Sequence, residues 1–189
     1  MTIYSAILFV HVVSALGIFS ALSLETVTLS RLRQTTTFIE ARRWVSFAPQ
    51  LPPMAIGSLL LLLLSGGYMT AQIGGWSVAW PKVSLAALVL IAPLAAVTGR
   101  RMRAIRLACA SANVAESELI ARLQDPFLKF SLNIRIALAL GIVLLMTGKP
   151  ELAQCLEIIA GFVILGFAST LAFWRRNAVP PAIHAGSRQ

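Results

Sequence analysis

The sequence predicts an all-α integral membrane protein: a helical bundle of five transmembrane helices with its N-terminus outside and its C-terminus in the cytoplasm. Three observations lead there. Hydrophobic residues make up 58% of the 189 and charged residues only 12%, whereas about a quarter of a soluble domain is charged. The apolar residues, at an overall mean hydropathy of +0.81, are gathered in five helix-length blocks instead of alternating along strands. Lys and Arg collect between particular blocks, which sets a direction across the bilayer.

The first block runs from Ile3 to about Leu24, long enough to cross a hydrocarbon core of about 30 Å. No Lys or Arg precedes it, which favours a membrane span over a secretory signal with its basic leader. The second covers Met54 to Ile73 after Pro49, Pro52 and Pro53, residues suited to a helix entrance. Trp44 and Phe47, just before it, are expected at the membrane interface. Gly74-Gly75 joins it to the third block, Val78 to Thr98, in which Pro93 removes one backbone donor and is expected to kink the helix. The fourth, about Phe127 to Thr147, and the fifth, Ala153 to Trp174, are joined by Gly148-Lys149-Pro150-Glu151, a tight antiparallel hairpin. Residues 1–176 thus form a single transmembrane domain, and 177–189, rich in small residues, Pro and Arg, read as a flexible cytoplasmic tail. Between Gly99 and Pro126 the chain is expected to continue the third helix and then form a short amphipathic one, with Leu119, Ile120 and Leu123 on its apolar side.

The formal charge is +9, and its distribution is uneven. Arg31, Arg33, Arg42, Arg43, Arg100, Arg101, Arg103, Arg106, Arg122, Lys129, Arg175, Arg176 and Arg188 fall on one side of the bundle, Lys82 and Lys149 on the other. Thirteen against two assigns the first side to the cytoplasm. The same asymmetry explains the high charge without nucleic acid, because basic loops are retained beside the anionic cytoplasmic leaflet. The lipid bilayer is the expected partner, with other membrane subunits or a second copy of the chain beside it. Cys109 and Cys155 fall at opposite faces, too far apart for a disulfide.

Ionisable side chains at membrane depth are costly and mark functional candidates. His11, Lys82, Arg135 and Glu157 are the four here. Helical spacing puts His11 on one face with Ser14, Ala21, Glu25 and Thr28. Ser58, Ser65, Tyr68 and Gln72 align on the second helix with Met69 alongside, and Arg135, Ala139, Ile142 and Met146 on the fourth. Counting 1.5 Å per residue sets His11 slightly outside the midplane and Arg135 slightly inside it. Glu157 and Lys82 enter from the outer side. The competing, purely structural reading has His11 hydrogen-bonding across helices and Lys82 and Arg135 snorkelling or pairing with Glu157 or backbone carbonyls. The neutral imidazole of His11 is a chemically competent haem ligand, with Met69, Met146 or Lys82 as its partner. His11, Met69, Met146 and Cys155 form a soft donor set suited to Cu(I). No phosphate-cradling glycine loop, paired-cysteine metal motif or Ser-type triad is present, which excludes the common soluble-enzyme chemistries.

Several short motifs carry a resemblance. Val10-His11-Val12 with Phe19-Ser20-Ala21, Leu64-Ser65-Gly66, Trp80-Pro81-Lys82-Val83 and Met146 through Lys149-Pro150 together resemble a family of bacterial membrane proteins of unknown function, similar in pattern to the CopD copper-resistance proteins and the HemJ-type protoporphyrinogen oxidases. The resemblance covers Ile3 to Pro150. It implies functional roles for His11 and Lys82, with haem b or copper as cofactor and haem at the histidine. The chain departs from those families at Ile18 and Ser20-Ala21 and lacks their further histidines, so the resemblance implies an accessory redox protein more than an oxidase. Two other function classes fit the same residues. One is a solute or proton pathway through His11, Arg135 and Glu157, and the other a non-catalytic subunit or scaffold of a larger membrane complex.

Overall fold

The computed structural model describes residues 2–35, 38–47, 51–110, 123 and 125–178, and every regular element among them is helical. Helix α1, Ile3–Gln34, starts where the Thr2 hydroxyl accepts from the Ser5 amide at 3.3 Å, satisfying one orphan donor of the first turn. It buries Ser14, Ala21 and Thr28, and beside them Leu22 and Leu29. This seven-residue repetition makes one seam along the helix. Helix α2, Phe38–Phe47, packs on α1 and on the helix after next. There the half-buried Trp44 ring lies under the Arg31 guanidinium, 5.9 Å from the centroid. Helix α3, Leu51–Gln72, places Pro52 and Pro53 in its first turn, where a missing amide proton removes no helical bond. A left-handed Gly74 (φ 61°) and a 3₁₀ turn, Gly75–Ser77, reverse the chain into α4, Ala79–Ala110, which continues through Pro93.

Helix α5, Pro126–Gly148, is capped by Asp125, whose carboxylate accepts from the Phe127 amide at 2.9 Å. It ends at Lys149, a left-handed residue (φ 48°) that donates its amide to Leu145 at 2.9 Å, a common helix-terminating geometry. Pro150 follows, and α6, Leu152–Ala178, returns antiparallel, as the hairpin reading predicts. Five of these helices, α1, α3, α4, α5 and α6, are long and apolar enough to cross a membrane.

Several boundaries differ from the sequence expectation. Helix α1 runs ten residues beyond Leu24, because leaving hydrocarbon does not end a helix whose backbone bonds are internal; α4 runs twelve beyond Thr98, the continuation expected of the third helix. The loop expected before the second span contains α2. Helix α6 takes in Asn177 and Ala178, and the rest of the tail lies outside the described residues. So do Leu119 and Ile120, while Leu123 is buried.

Helix α5 is the centre of the bundle. Over its most apolar stretch 56% of residues are buried, against 17% in each of the other four spans. It packs chiefly on α6 and α4, while α1 packs chiefly on α3. One apolar cluster joins Leu22, Leu29 and Leu32 of α1 to Ile105 and Ala108 of α4 and Leu128 and Leu132 of α5. A second joins Ala87, Ile134, Leu138 and Ile142 to Ile159 and Val163. The outer faces carry exposed Leu16, Leu64, Val89, Leu144, Ile164 and Leu171, a surface that lipid chains solvate without penalty.

Candidate functional site

The two packed units, α1 with α3 and α4 with α5, enclose a cavity of about 690 Å³, within the usual range for small-molecule sites. Although consecutive in the chain, α3 and α4 pack mainly on other helices. The cavity lies between their facing sides, Pro52, Ala55, Ile56, Leu59 and Leu62 on α3 and Leu88, Ile91, Ala92, Ala95 and Ala96 on α4. Its lining reaches from His11 to Leu29 along α1 and from Leu88 to Arg106 along α4, about 27 Å of helix in each case. The space is therefore a long slot parallel to the helices.

His11 stands on its wall near one end. The imidazole Nδ1 lies 3.1 Å from Ser65 Oγ, and that hydroxyl spends its one proton on the Leu61 carbonyl at 2.6 Å. With that proton directed at Leu61, Ser65 accepts in the tautomer that carries its hydrogen on Nδ1, and in that tautomer Nε2 holds the lone pair; the ring also hydrogen-bonds the Leu62 carbonyl. Gly66 makes the arrangement fit. A Cβ there would stand 3.0 Å from His11 Cε1, so only glycine lets the ring lie flat against α3. Gly17 serves the same purpose farther along α1, where a side chain would run into Ser58.

Deeper in the slot, Arg135 is buried on α5 and forms a two-pronged ion pair with Glu25 of α1, with Nη1 to Oε2 at 2.9 Å and Nη2 on Oε1. Its Nε donates to the Ser131 carbonyl at 3.3 Å. The expected partner, Glu157, is exposed instead. The face of α6 that meets α5 carries Ile159, Phe162 and Gly166, and two residues before Ile159 the helix points about 160° away. The His11, Arg135 and Glu157 line is thus not one path.

The pair also corrects the depths. Glu25 lies fourteen residues from His11, about 21 Å along α1, so His11 and Arg135 cannot both sit near the midplane of a core about 30 Å thick. Met146 lies eleven residues beyond Arg135 toward the same end. That brings it within about 5 Å of the level of His11, on the facing wall of the slot.

Lys82 is exposed on α4, one residue from the buried Pro81 and two from the buried Ser84, and it does not line the cavity. Met69 and Cys155 are likewise absent from its wall. Cys155 is buried, with its thiol toward the Pro150 carbonyl at 3.4 Å, and Cys109 is a buried free thiol at the other end. Of the donor set His11, Met69, Met146 and Cys155, the slot brings together His11 and Met146. Among the described residues no group of three or more His, Cys, Asp or Glu side chains gathers as a metal site.

The opposite end of the slot is cationic. Arg100, Arg103 and Arg106 border it with Gly99 and Met102. Below them Arg101 pairs with Asp125 and covers the Phe127 ring at 4.2 Å, and Arg33 donates to the Asp125 carbonyl at 2.8 Å. Asp125 therefore caps α5 and ties it to α1 and α4. Thr98 donates to Ser131 at 2.8 Å, which donates to the Leu94 carbonyl at 3.1 Å, fixing the level of α4 against α5. Glu25 and the arginine rim are the features of the site that sequence reasoning underused. Glu25 already shares the His11 stripe, and the rim arginines counted there only toward topology.

Comparison of the chain with protein-family models, with curated proteins and with solved structures gives no match in any of the three.

Proposed function

We propose that this is a haem-associated accessory protein of the bacterial inner membrane, with its arginine-rich end in the cytoplasm and His11 as the haem ligand. The observation that carries the reading is the His11 imidazole, held by Ser65 on the wall of a largely apolar slot. The residues fit the group. An imidazole held by a second hydrogen bond is the usual arrangement at a metal, and Met146 offers a thioether at a similar level on the facing wall, a donor pair used in His/Met haem proteins. Haem b bound there would supply one-electron chemistry at its iron. What the chain itself does is hold the imidazole ring in place, exclude water with Ala15, Ile18, Leu62 and Ile142, and keep polar groups few. Haem is favoured over Cu(I) because the further soft donors, Met69 and Cys155, stand away from the slot.

The test is the absorption spectrum of the full chain purified in mild detergent from haem-replete cells. A Soret band lost in His11→Ala is the expected result. Ser65→Ala should lower haem retention roughly 10–100-fold while leaving the protein folded, as loss of an orienting partner does. Absence of any Soret band, or a band unchanged in His11→Ala, would overturn the reading.

A further inference from the structure

We infer that the arginine-rich end of the slot is a binding site for an anionic membrane lipid, with its phosphate on Arg100, Arg103 and Arg106 and an acyl chain lying in the slot. The inference does not depend on haem at His11, which stands at the other end.

The charge balance of the lining points to an anion. Among the described residues its only carboxylate is Glu25, and Glu25 is already neutralised by Arg135. The three remaining guanidinium groups border the slot on successive turns of α4, two exposed and Arg106 half-buried. Among the described residues none of the three has a carboxylate or carbonyl partner, in contrast to Arg101, Arg33 and Arg135, whose partners are named above. Three cations bordering one mouth suit a phosphate, since clustered arginines at a membrane surface attract anionic headgroups.

The shape points to an amphiphile in place of a free anion. From the arginines the slot continues between Ala95 and Ala96 of α4 and Pro52, Ala55 and Ile56 of α3, small or flat apolar residues, with the mutually neutralised Arg135–Glu25 pair among the remaining lining. It extends for about 27 Å in all, lengthwise along the helices as a lipid chain lies. Exposed Ala92 and Ala96 on α4 and exposed Pro52 and Ile56 on α3 flank the space, so a chain can enter sideways from the bilayer while its headgroup stays at the interface.

The full chain, delipidated in detergent, is incubated with dioleoyl phosphatidylglycerol, with dioleoyl phosphatidylcholine, or with glycerophosphoglycerol as the headgroup alone, and retention is read by native mass spectrometry. The phosphatidylglycerol should be retained at least about ten-fold better than the choline lipid, and the headgroup alone should not be retained. The triple change Arg100→Gln, Arg103→Gln, Arg106→Gln should abolish the preference. Ala95→Trp, which fills the channel and leaves the arginines in place, should lower retention of both lipids. Lys82→Gln, an exposed cation on α4 that does not line the slot and lies toward its other end, should leave the preference intact, and His11→Ala should too. Equal retention of the two lipids, a preference that survives the triple change, a headgroup that binds as well as the lipid, or a loss equally caused by Lys82→Gln would each overturn the site. Because His11→Ala removes haem but not lipid, failure of one proposal is distinguishable from failure of the other.

Discussion

At the scale of single residues, the Arg135–Glu25 pair sets the energetics of the core. The Arg135 side chain is 6% exposed and that of Glu25 22%, so removing one partner strands the other's charge in a medium that cannot hydrate it. Glu25→Gln is expected to lower stability by about 3 kcal/mol, at the low end for breaking a buried pair because Glu25 keeps some exposure. The double replacement Glu25→Leu, Arg135→Met should cost clearly less than either single change, since it removes both desolvation penalties together. Thermal midpoints of the four proteins in one detergent check this, and an additive double variant would contradict it. The pair was half legible in the sequence. Helical spacing put Glu25 on the His11 face and Arg135 on an inward stripe, but spacing within a helix carries no information about which helices are neighbours. Glu157 looked equally eligible as a partner until α6 was oriented. The same gap explains Lys82, whose depth could be counted but whose rotation about the α4 axis is set by the packing of Pro81 and Ser84.

At the scale of elements, close approach of helices depends on particular glycines. In α6, a Cβ on Gly166 would stand 2.9 Å from Ile134 Cδ1 and 3.2 Å from the Ala137 Cβ of α5. Ala137 cannot swing aside as a long side chain can, so the two helices must separate. That separation would also strain the nearby bond from Asn133 Nδ2 to Thr170 at 3.0 Å. Gly166→Ala is expected to destabilise by about 1–3 kcal/mol, the usual range for overpacking. Gly67→Ala and Gly161→Ala, where a Cβ meets nothing within 4 Å, should be neutral or stabilising through helix propensity. Equal effects at the buried and open positions, measured by thermal aggregation in detergent, would refute the distinction. The existence of the five long helices was readable because about twenty apolar residues in a row have few other outcomes. Their ends were not, because hydropathy reports where lipid stops, whereas caps such as Asp125 and the left-handed Lys149 decide where a helix stops. Helix α2 escaped for the complementary reason: it is too short and too charged to register as a span, and its place is set by packing on α1 and α4.

At the scale of the whole molecule, the arginine asymmetry and the internal architecture describe the same axis. The end of the slot bordered by Arg100, Arg103 and Arg106 is also the end where Arg33 and Arg101 meet Asp125, while the His11 end lies toward the Gly74 turn and the Lys149 hairpin. If the positive-inside rule governs this chain, the lipid-binding mouth faces the cytoplasmic leaflet, where anionic headgroups are concentrated, and His11 lies nearer the outer face. The native cysteines are unsuited to testing this, since Cys155 is buried as Cys109 is. Their burial is an advantage, because introduced thiols can be read against a silent background. Ser77 in the 3₁₀ turn and Gln34 at the end of α1 are both exposed and lie at opposite ends of the bundle. Ser77→Cys should be modified by a membrane-impermeant maleimide in intact cells, whereas Gln34→Cys should react only after permeabilisation. The reverse pattern would invert the bundle, placing the arginine rim in the outer leaflet and His11 near the cytoplasm. The lipid preference would then have to be sought among outer-leaflet anions, and haem would reach His11 from the opposite side.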